Sequence, residues 1–291
     1  MNKRKLILIS NDDGYSAKGI NALVEYLRDL ADIIVCAPSG PRSGFSRSFS
    51  ISNYFTIEKL KEEDGLQVWS CTGTPVDCIK IALSEICERK PNLAIGGINH
   101  GNNSSINAHY SGTIGVALEG CVKDIPSIAF SLCNDDLDAD FSTMKEGIRS
   151  ITQYVLENGL PQGVLLNVNY PDTNDLKGIR VCRMGLSHWP HEIHKRVRHD
   201  GVAEYCVSYE YHNDEPDATD TDAWALDNGY VAITPTTIDV TDYEFGRNIK
   251  ADLPSSTSLS TMTKLTVDSL LNLFNALYDF STEGGTHTID I

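Results

Sequence analysis

Short apolar runs alternate with amphipathic stretches along the first 170 residues. The first amphipathic stretch places Ile20, Leu23 and Leu27 at the i, i+3 and i+7 positions, which is typical of a helix with one buried face. Strands connected by such helices form a parallel sheet with helices on both faces. We therefore predict a Rossmann-like, doubly wound, mostly parallel α/β sheet. Its strands are predicted at 6–10, 32–37, 92–98, 127–132 and 164–169, its helices at 17–30, 75–88, 111–122 and 141–157, and a hairpin at 55–60 and 66–71.

The pattern changes beyond residue 170, where strand-like segments are separated by polar, turn-rich stretches. We interpret 1–170 as the catalytic core and 171–250 as a C-terminal β extension that completes the core and takes part in oligomerisation. Residues 251–291 are predicted to form a linker and a terminal helix, whose apolar stripe runs from Val267 to Tyr278. Either a neighbouring subunit or the helix's own chain must cover this stripe.

The charge balance restricts the partners of the protein. The 291 residues include 40 acidic and 24 basic side chains, for a formal net charge of −16, which argues against binding nucleic-acid polymers through their phosphates. Eight scattered cysteines without a C-x-x-C spacing are typical of reduced thiols in a cytoplasmic protein. No apolar stretch has the length of a membrane span, and the first apolar run is too short for a signal peptide, so we predict a cytoplasmic protein without membrane contacts.

Polar side chains follow three of the predicted strands. The carboxyl ends of parallel strands meet at one edge of a sheet, so we expect these side chains to lie close together. Carboxylate, hydroxyl and amide oxygens suit a hard cation such as Mg²⁺, Mn²⁺ or Ca²⁺. The alternative is that Asp13 only caps a turn with Gly14. The three groups are Asn11, Asp12 and Asp13; Arg42, Ser43 and Ser46; and Asn99, Asn102 and Asn103.

A second candidate site lies at the start of the helix predicted at 111–122. Two hydroxyls, free backbone N–H groups and a glycine that lets a ligand approach the backbone closely are available at Ser111, Gly112 and Thr113. This combination predicts a phosphate-binding site. A simple N-cap at Ser111 is the alternative. No lysine follows as in a Walker A sequence, and 96–103 does not match G-x-G-x-x-G, so NAD binding is not expected.

Histidines raise two further possibilities. His188, His191, His194 and His199 match no standard zinc spacing, so we interpret their stretch as a solvated arm, with a zinc site as the alternative. His100 and His109 lie in the predicted site loops. Two roles are open to each of them, as a general acid or as a contact to phosphate. The alternative is that each is an ordinary polar loop residue.

The chain resembles the SurE family of metal-dependent nucleoside monophosphate phosphatases over about residues 5–245. Six stretches carry the resemblance, and they follow one another in the order that the family has. They are ILISNDDG (7–14), RSG (42–44), GTPVDC (73–78), GGINHGNN (96–103), YSGTIGVALEG (110–120) and ATDTDAWALDNGYVAITP (218–235). Gly96, His100 and His109 differ from the residues usual in the family. The resemblance implies hydrolysis of nucleoside 5′-monophosphates, and also of 3′-monophosphates, to nucleoside and phosphate.

The resemblance also implies roles for residues and partners. It implies one divalent cation per subunit, Mg²⁺ or Mn²⁺, held by Asp12, Asp13, Ser43 and Asn99, with Asp12 and Asp13 as the catalytic residues. A phosphate site is implied at Asn11, Ser111, Gly112 and Thr113. The family pattern further implies a homodimer or homotetramer in which a β-hairpin and a C-terminal segment are exchanged between subunits.

Three other functions share parts of this pattern. An aspartyl-phosphate phosphatase needs a D-x-D sequence, whereas Asp12 and Asp13 are adjacent. A signalling receiver domain needs an acid after its third strand and a lysine after its fifth, but 96–103 contains no acid and 127–136 no lysine. A non-catalytic nucleotide sensor on the same fold is the remaining alternative, and turnover of p-nitrophenyl phosphate with and without Mn²⁺ distinguishes it from an enzyme.

Overall fold

The structure is a computed structural model that describes residues 4–208 and 210–252. The chain divides into two compact units, of which the first ends at Asp239 and the second starts at Val240. The first unit contains the strands β1 (Leu6–Ser10), β2 (Asp32–Pro38), β3 (Ile57–Glu63), β4 (Leu66–Cys71), β5 (Leu93–His100), β6 (Ser127–Leu132), β7 (Val164–Tyr170), β8 (Ile179–Val181), β9 (Ser187–His188), β10 (Ile193–Val197), β11 (Ala203–Val207), β12 (His212–Asn213) and β13 (Val231–Thr237).

Nine of these strands form one sheet in the order β3-β4-β2-β1-β5-β6-β7-β13-β8. The six strands from β4 to β7 in this order run parallel to one another. At one edge β3 pairs antiparallel with β4, and near the other edge β13 pairs antiparallel with β7 and parallel with β8. The predicted α/β fold with a mostly parallel sheet is confirmed, and segments beyond residue 170 extend the sheet.

Helices cover both faces of this sheet. They are α1 (Lys18–Leu27), α2 (Pro75–Ile81), α3 (Gly112–Val122), α4 (Lys145–Asn158) and α5 (Asp222–Asp227), all in the first unit. The second unit contains the helix α6 (Tyr243–Asp252). Successive side chains of a strand point to opposite faces. Accordingly, Ile7 of β1 joins the core cluster that contains residues of α1 and α4, whereas Leu8 joins the cluster that contains Ile79 of α2. This is the predicted doubly wound arrangement.

The capping box of α2 also anchors a loop that borders the candidate site. Thr74 caps the helix by accepting a hydrogen bond from the Asp77 backbone, and the Asp77 carboxylate accepts one from the Thr74 backbone. The same carboxylate accepts hydrogen bonds from the backbone and hydroxyl of Ser50, at 2.9 and 2.8 Å. Asp77 therefore holds the end of the long loop that follows β2, which contains Ser43.

Several local predictions need correction. The helix predicted at 75–88 is α2 followed by a π-helical turn, Ala82–Ile86. Between the strand predicted at 92–98 and the helix predicted at 111–122, the chain forms the end of β5 and a 3₁₀ turn, Ser105–His109. The helix α5 lies in a stretch for which we predicted no helix. The histidine-rich arm is exposed, as predicted, but its residues 193–197 form β10, which pairs with β11 in a hairpin.

The predicted terminal helix with its apolar stripe at 267–278 lies outside the described residues. So does the predicted linker beyond residue 252. Among the described residues, none of the helices has the length and apolar character that crossing a membrane requires. The domain limits at 170 and 250 stay predictions.

Candidate active site

Three loops meet at the carboxyl ends of β1, β2 and β5. The backbone N–H of Arg42, in the loop after β2, donates to the carbonyl oxygen of Asp12 at 2.6 Å. The Ser46 backbone N–H in the same loop donates to the Tyr110 carbonyl at 3.2 Å, and the Ser46 hydroxyl to the His109 carbonyl at 2.6 Å. These hydrogen bonds bring the first polar group of the sequence, after β1, beside the loops that contain the other two.

Asp12 lies at the centre of these contacts and is only 4% exposed. The Thr113 hydroxyl donates to its carboxylate at 2.5 Å, and the backbone N–H of Gly112 is a further hydrogen-bond donor to it. A Cβ atom at Gly112 would lie 2.7 Å from the Asp12 Cβ, so only glycine allows the helix α3 to begin this close to the carboxylate.

Both carboxylates at this site hold their protons more tightly than usual. Burial raises the pKa of Asp12 to about 6, and the neighbouring charge of Asp13 adds to the rise, while the hydrogen bonds from Thr113 and Gly112 oppose it. Burial also raises the pKa of Asp13, with the His100 ring opposing the rise. Two carboxylates that repel each other and are removed from water form a site that a cation would stabilise.

Asn99 and Asp13 are both linked to the backbone at His100. The Asn99 side-chain nitrogen donates to the carbonyls of His100 and Gly101, at 3.1 and 2.9 Å. This orientation leaves the Asn99 amide oxygen on the side of the Thr113 hydroxyl, 3.4 Å away. The His100 backbone N–H donates to the Asp13 carboxylate at 3.4 Å. The amide of Asn99 is thus fixed with its oxygen on the side where Thr113 contacts Asp12.

A cavity of about 420 Å³ opens beside these residues. Asp12, Ser43 and Asn99, three of the four predicted metal ligands, line it, as does Ser111. Asp13 is half-buried, and its carboxylate accepts a hydrogen bond from the backbone of His100. His100 itself lines the cavity. Carboxylate, hydroxyl and amide oxygens are hard donors, so this set fits Mg²⁺ or Mn²⁺.

The four residues predicted to contact phosphate take different positions. Ser111 caps α3 by accepting a hydrogen bond from the Ile114 backbone at 3.1 Å, and it also lines the cavity. The Thr113 hydroxyl is fully buried against Asp12, beside Gly112. The Asn11 amide is fully buried and closes the turn by two hydrogen bonds with the Gly14 backbone. Contact of phosphate with these residues stays a prediction.

Several residues of the cavity wall were not predicted from the sequence. Tyr110, Trp189 and Tyr211 line the cavity, although Trp189 was assigned to the solvated arm and the other two received no role. Asp222, which is fully buried, accepts hydrogen bonds from the backbone and hydroxyl of Ser105, at 2.8 and 2.7 Å. It therefore supports the loop between β5 and α3. The only signal for Asp222 was its place in the long stretch 218–235.

The histidines outside the cavity make other contacts. His188 lies 2.8 Å from the Asp214 carboxylate, and His194 lies 2.9 Å from the Ser208 hydroxyl. In the part of the chain that the structure describes, no three His, Cys, Asp or Glu side chains are arranged to hold a metal ion. A cation at Asp12 and Asp13 would accordingly rely on hydroxyl and amide oxygens as well.

Comparisons with known proteins identify the family of this chain. The family model for survival protein SurE matches residues 7–191. The chain is 52% identical over 251 residues to the 5′-nucleotidase SurE of Phocaeicola vulgatus, and 48% identical over 250 residues to that of Bacteroides fragilis; each alignment covers 86% of this chain and 98% of the relative. The crystal structure of the SurE protein from Aquifex aeolicus has a TM-score of 0.73 at 34% identity, covering 84% of this chain and 98% of that one. This chain therefore belongs to the SurE family.

Proposed function

We propose that this protein is a metal-dependent phosphomonoesterase that hydrolyses nucleoside 5′-monophosphates, and also 3′-monophosphates, to nucleoside and phosphate. The observation that carries the proposal is the adjacent pair Asp12 and Asp13, whose carboxylates have raised pKa values beside an oxygen-lined cavity. The relatives from Phocaeicola vulgatus and Bacteroides fragilis are named 5′-nucleotidase SurE, which supports the same reaction for this chain.

Asp12, Asp13, Ser43 and Asn99 would hold one Mg²⁺ or Mn²⁺ per subunit. When bound, such a cation supplies positive charge that offsets the two carboxylates and polarises a phosphoryl oxygen. Thr113 and Gly112 hold Asp12 in position through hydrogen bonds to its carboxylate. The backbone of Gly101 similarly fixes the Asn99 amide, so that its oxygen is the atom available as a ligand.

The remaining residues bind and orient the phosphate. The Ser111 oxygen accepts a hydrogen bond from the Ile114 backbone, which leaves its O–H able to donate to a phosphoryl oxygen. The N-terminus of α3 adds a favourable dipole for the same anion. Asp12 or Asp13 orients the attacking water and accepts its proton. The water oxygen bonds to phosphorus as the ester P–O bond breaks, and the nucleoside oxygen leaves and takes up a proton.

We also propose that the protein acts as a homodimer or homotetramer in which the β10–β11 hairpin contacts another subunit. All five positions of β10 and the last three of β11 are exposed, yet the hairpin contains several apolar side chains. Contiguous exposed apolar side chains are typical of interfaces. Those that are 49–63% exposed are Ile193, Val197, Val202, Tyr205 and Val207.

The experiment that tests the catalytic proposal is phosphate release from p-nitrophenyl phosphate and from AMP by purified protein. We expect turnover of both substrates in Mn²⁺ or Mg²⁺, loss of turnover with EDTA, and recovery when the cation is restored. Binding of AMP without turnover in every cation tested would favour the nucleotide sensor instead. Full turnover in EDTA would contradict the requirement for a metal.

A further inference from the structure

The cavity has an aromatic wall that the proposed chemistry at phosphorus does not use. Tyr110, Trp189 and Tyr211 line it together with Asp12 and Ser111. The rings of Tyr110 and Trp189 are in contact, with centroids 4.4 Å apart and planes inclined by 30°. Tyr110 nevertheless remains 45% exposed. An aromatic pair that borders a cavity and keeps exposed ring surface is suited to stack another flat ring.

Hydrogen bonds hold this wall in place without a ligand. The Trp189 indole N–H donates to the side-chain oxygen of Asn107 at 2.9 Å. Two residues before Trp189, the Ser187 hydroxyl oxygen accepts a hydrogen bond from the Ile106 backbone at 2.9 Å. These contacts join the end of β9 to the 3₁₀ turn that precedes Tyr110. The orientation of the two rings is therefore set in advance, which lowers the entropic loss on binding.

The aromatic pair lies next to the predicted phosphate end of the cavity. Tyr110 immediately precedes Ser111, and consecutive Cα atoms are about 3.8 Å apart. A ligand whose phosphate contacts Ser111 would therefore have the Tyr110 ring within reach of the rest of the molecule. The cavity volume of about 420 Å³ is within the range of small-molecule sites. A phosphate joined through a sugar to a flat, aromatic base matches these two features.

We propose that Tyr110 and Trp189 form the nucleobase subsite, in which the base of a nucleoside monophosphate stacks on the aromatic pair. This rests on the proposed function, because it assigns the part of the substrate that does not react. The oxygen of the Asn107 amide is bonded to Trp189, and its nitrogen donates to the Asn102 carbonyl at 3.2 Å. Asn107 therefore supports the wall instead of reading the edge of the base. Stacking tolerates all bases because every base has a π-face, so we expect broad base specificity.

The test compares AMP with ribose 5-phosphate, which has the same phosphate ester but no base. We expect the wild-type protein to hydrolyse AMP with the higher kcat/KM. The variants Tyr110→Leu and Trp189→Leu should lower the ratio of kcat/KM for AMP to that for ribose 5-phosphate by about 5- to 100-fold, with kcat/KM for ribose 5-phosphate little changed. Tyr110→Phe, which keeps the ring, should retain the wild-type ratio.

A control and a second readout separate this inference from the proposed function. Tyr154 of α4 is 60% exposed and does not line the cavity, so Tyr154→Leu controls for loss of a surface aromatic ring. Calorimetric titration with adenosine measures base binding without turnover, and we expect Tyr110→Leu to weaken it. Failure of the wild type to hydrolyse either phosphate would contradict the proposed function alone. Equal ratios in the wild type and both leucine variants, with adenosine binding unchanged, would overturn the base subsite.

Discussion

Asp12 combines near-complete burial with a second carboxylate at the next residue. Its hydrogen bonds to Thr113 and Gly112 offset part of the resulting destabilisation, but the pKa still rises to about 6. Such an arrangement opposes folding when no cation is bound, because the charged form is disfavoured in the folded state. At this residue, the geometry that suits metal binding lowers the stability of the metal-free protein.

Replacing Asp12 by asparagine is expected to stabilise the metal-free protein at pH 7.5. The pKa of Asp12 is about 6 in the folded chain and near 3.8 in the unfolded chain. The folded chain therefore binds the proton more tightly, and this contribution to the free energy of unfolding is fully present below about pH 3.8 and is lost as the pH rises through about 6. The neutral Asp12→Asn should therefore gain up to about 3 kcal/mol above pH 6 and little at pH 4. Urea denaturation in EDTA measures this.

The control for that experiment is Asp217→Asn, which neutralises an exposed aspartate of the same unit. Its unfolding free energy should follow the wild type at both pH values. A pH-independent difference between Asp12→Asn and the wild type would show that burial of the charge is not what limits stability at this position.

Ser111→Ala should affect both catalysis and stability. Loss of the N-cap costs about 1 kcal/mol of folding free energy, and loss of the hydroxyl should lower kcat/KM for AMP and weaken inhibition by inorganic phosphate. Asp242→Ala removes the side chain that accepts a hydrogen bond from the Phe245 backbone at the start of α6; Asp242 does not line the cavity, so this variant is the matched control. We expect a similar stability loss with unchanged kinetics. Identical kinetics of Ser111→Ala and the wild type would leave Ser111 as a cap only.

The loop between β5 and α3 depends on the helix α5, although the two are far apart in sequence. Asp222, at the first position of α5, accepts hydrogen bonds from Ser105 and also from the Gly185 backbone at 2.9 Å. This carboxylate therefore connects three segments beneath the cavity wall. The Asp222 carboxylate only accepts hydrogen bonds. An amide in its place would point its own N–H groups at N–H and O–H donors, with which it cannot form hydrogen bonds.

Asp222→Asn is expected to destabilise the protein by about 1–3 kcal/mol and to raise the KM for AMP. The increase in KM follows because Ser105 leads into the turn that contains Asn107 and the adjoining Tyr110. Asp217→Asn, a few residues before α5, is exposed and should leave both quantities unchanged. Thermal unfolding and steady-state kinetics are the measurements. A destabilised Asp222→Asn with the wild-type KM would mean that α5 supports the fold but not the cavity.

Elements with a strong apolar period were predictable from the sequence, and short or exposed ones were not. The strands at 6–10 and 127–132 were predicted to the residue because every position in them is buried. The helix α5 has only six residues, too few to display a helical period. The strand β10 is exposed at all five positions, so no alternation of buried and exposed residues marks it.

At the scale of the whole molecule, the order of the parallel strands determines which predicted site residues meet. β1 lies between β2 and β5, so the loops at their carboxyl ends are neighbours. This explains why Asp12, Ser43 and Asn99 could be grouped from strand ends alone. Trp189 and Tyr211 come from the segment after the parallel core, and no pattern in the sequence relates that segment to the cavity. Only the tertiary structure places them there.

The exposed hairpin gives a prediction for the assembly. Ile193 and Val207 are directly paired across β10 and β11 and are 61% and 59% exposed. Charged residues introduced at this pair, Ile193→Asp and Val207→Asp together, should lower the molecular mass of the assembly by light scattering. Leu137→Asp, at a position 77% exposed elsewhere on the surface, should not. A monomeric wild-type protein, or a double variant of unchanged mass, would contradict the proposed role of the hairpin.

The most direct test of the central claim is the rate of phosphate release from AMP as Mn²⁺ is titrated into protein freed of metal by EDTA and dialysis. If Asp12 and Asp13 hold the cation, activity should rise from background and level off at about one Mn²⁺ per chain, while Asp13→Asn should stay near background at the same Mn²⁺ concentrations although it remains folded. Full activity of the metal-free wild type, or a wild-type response from Asp13→Asn, would contradict the account.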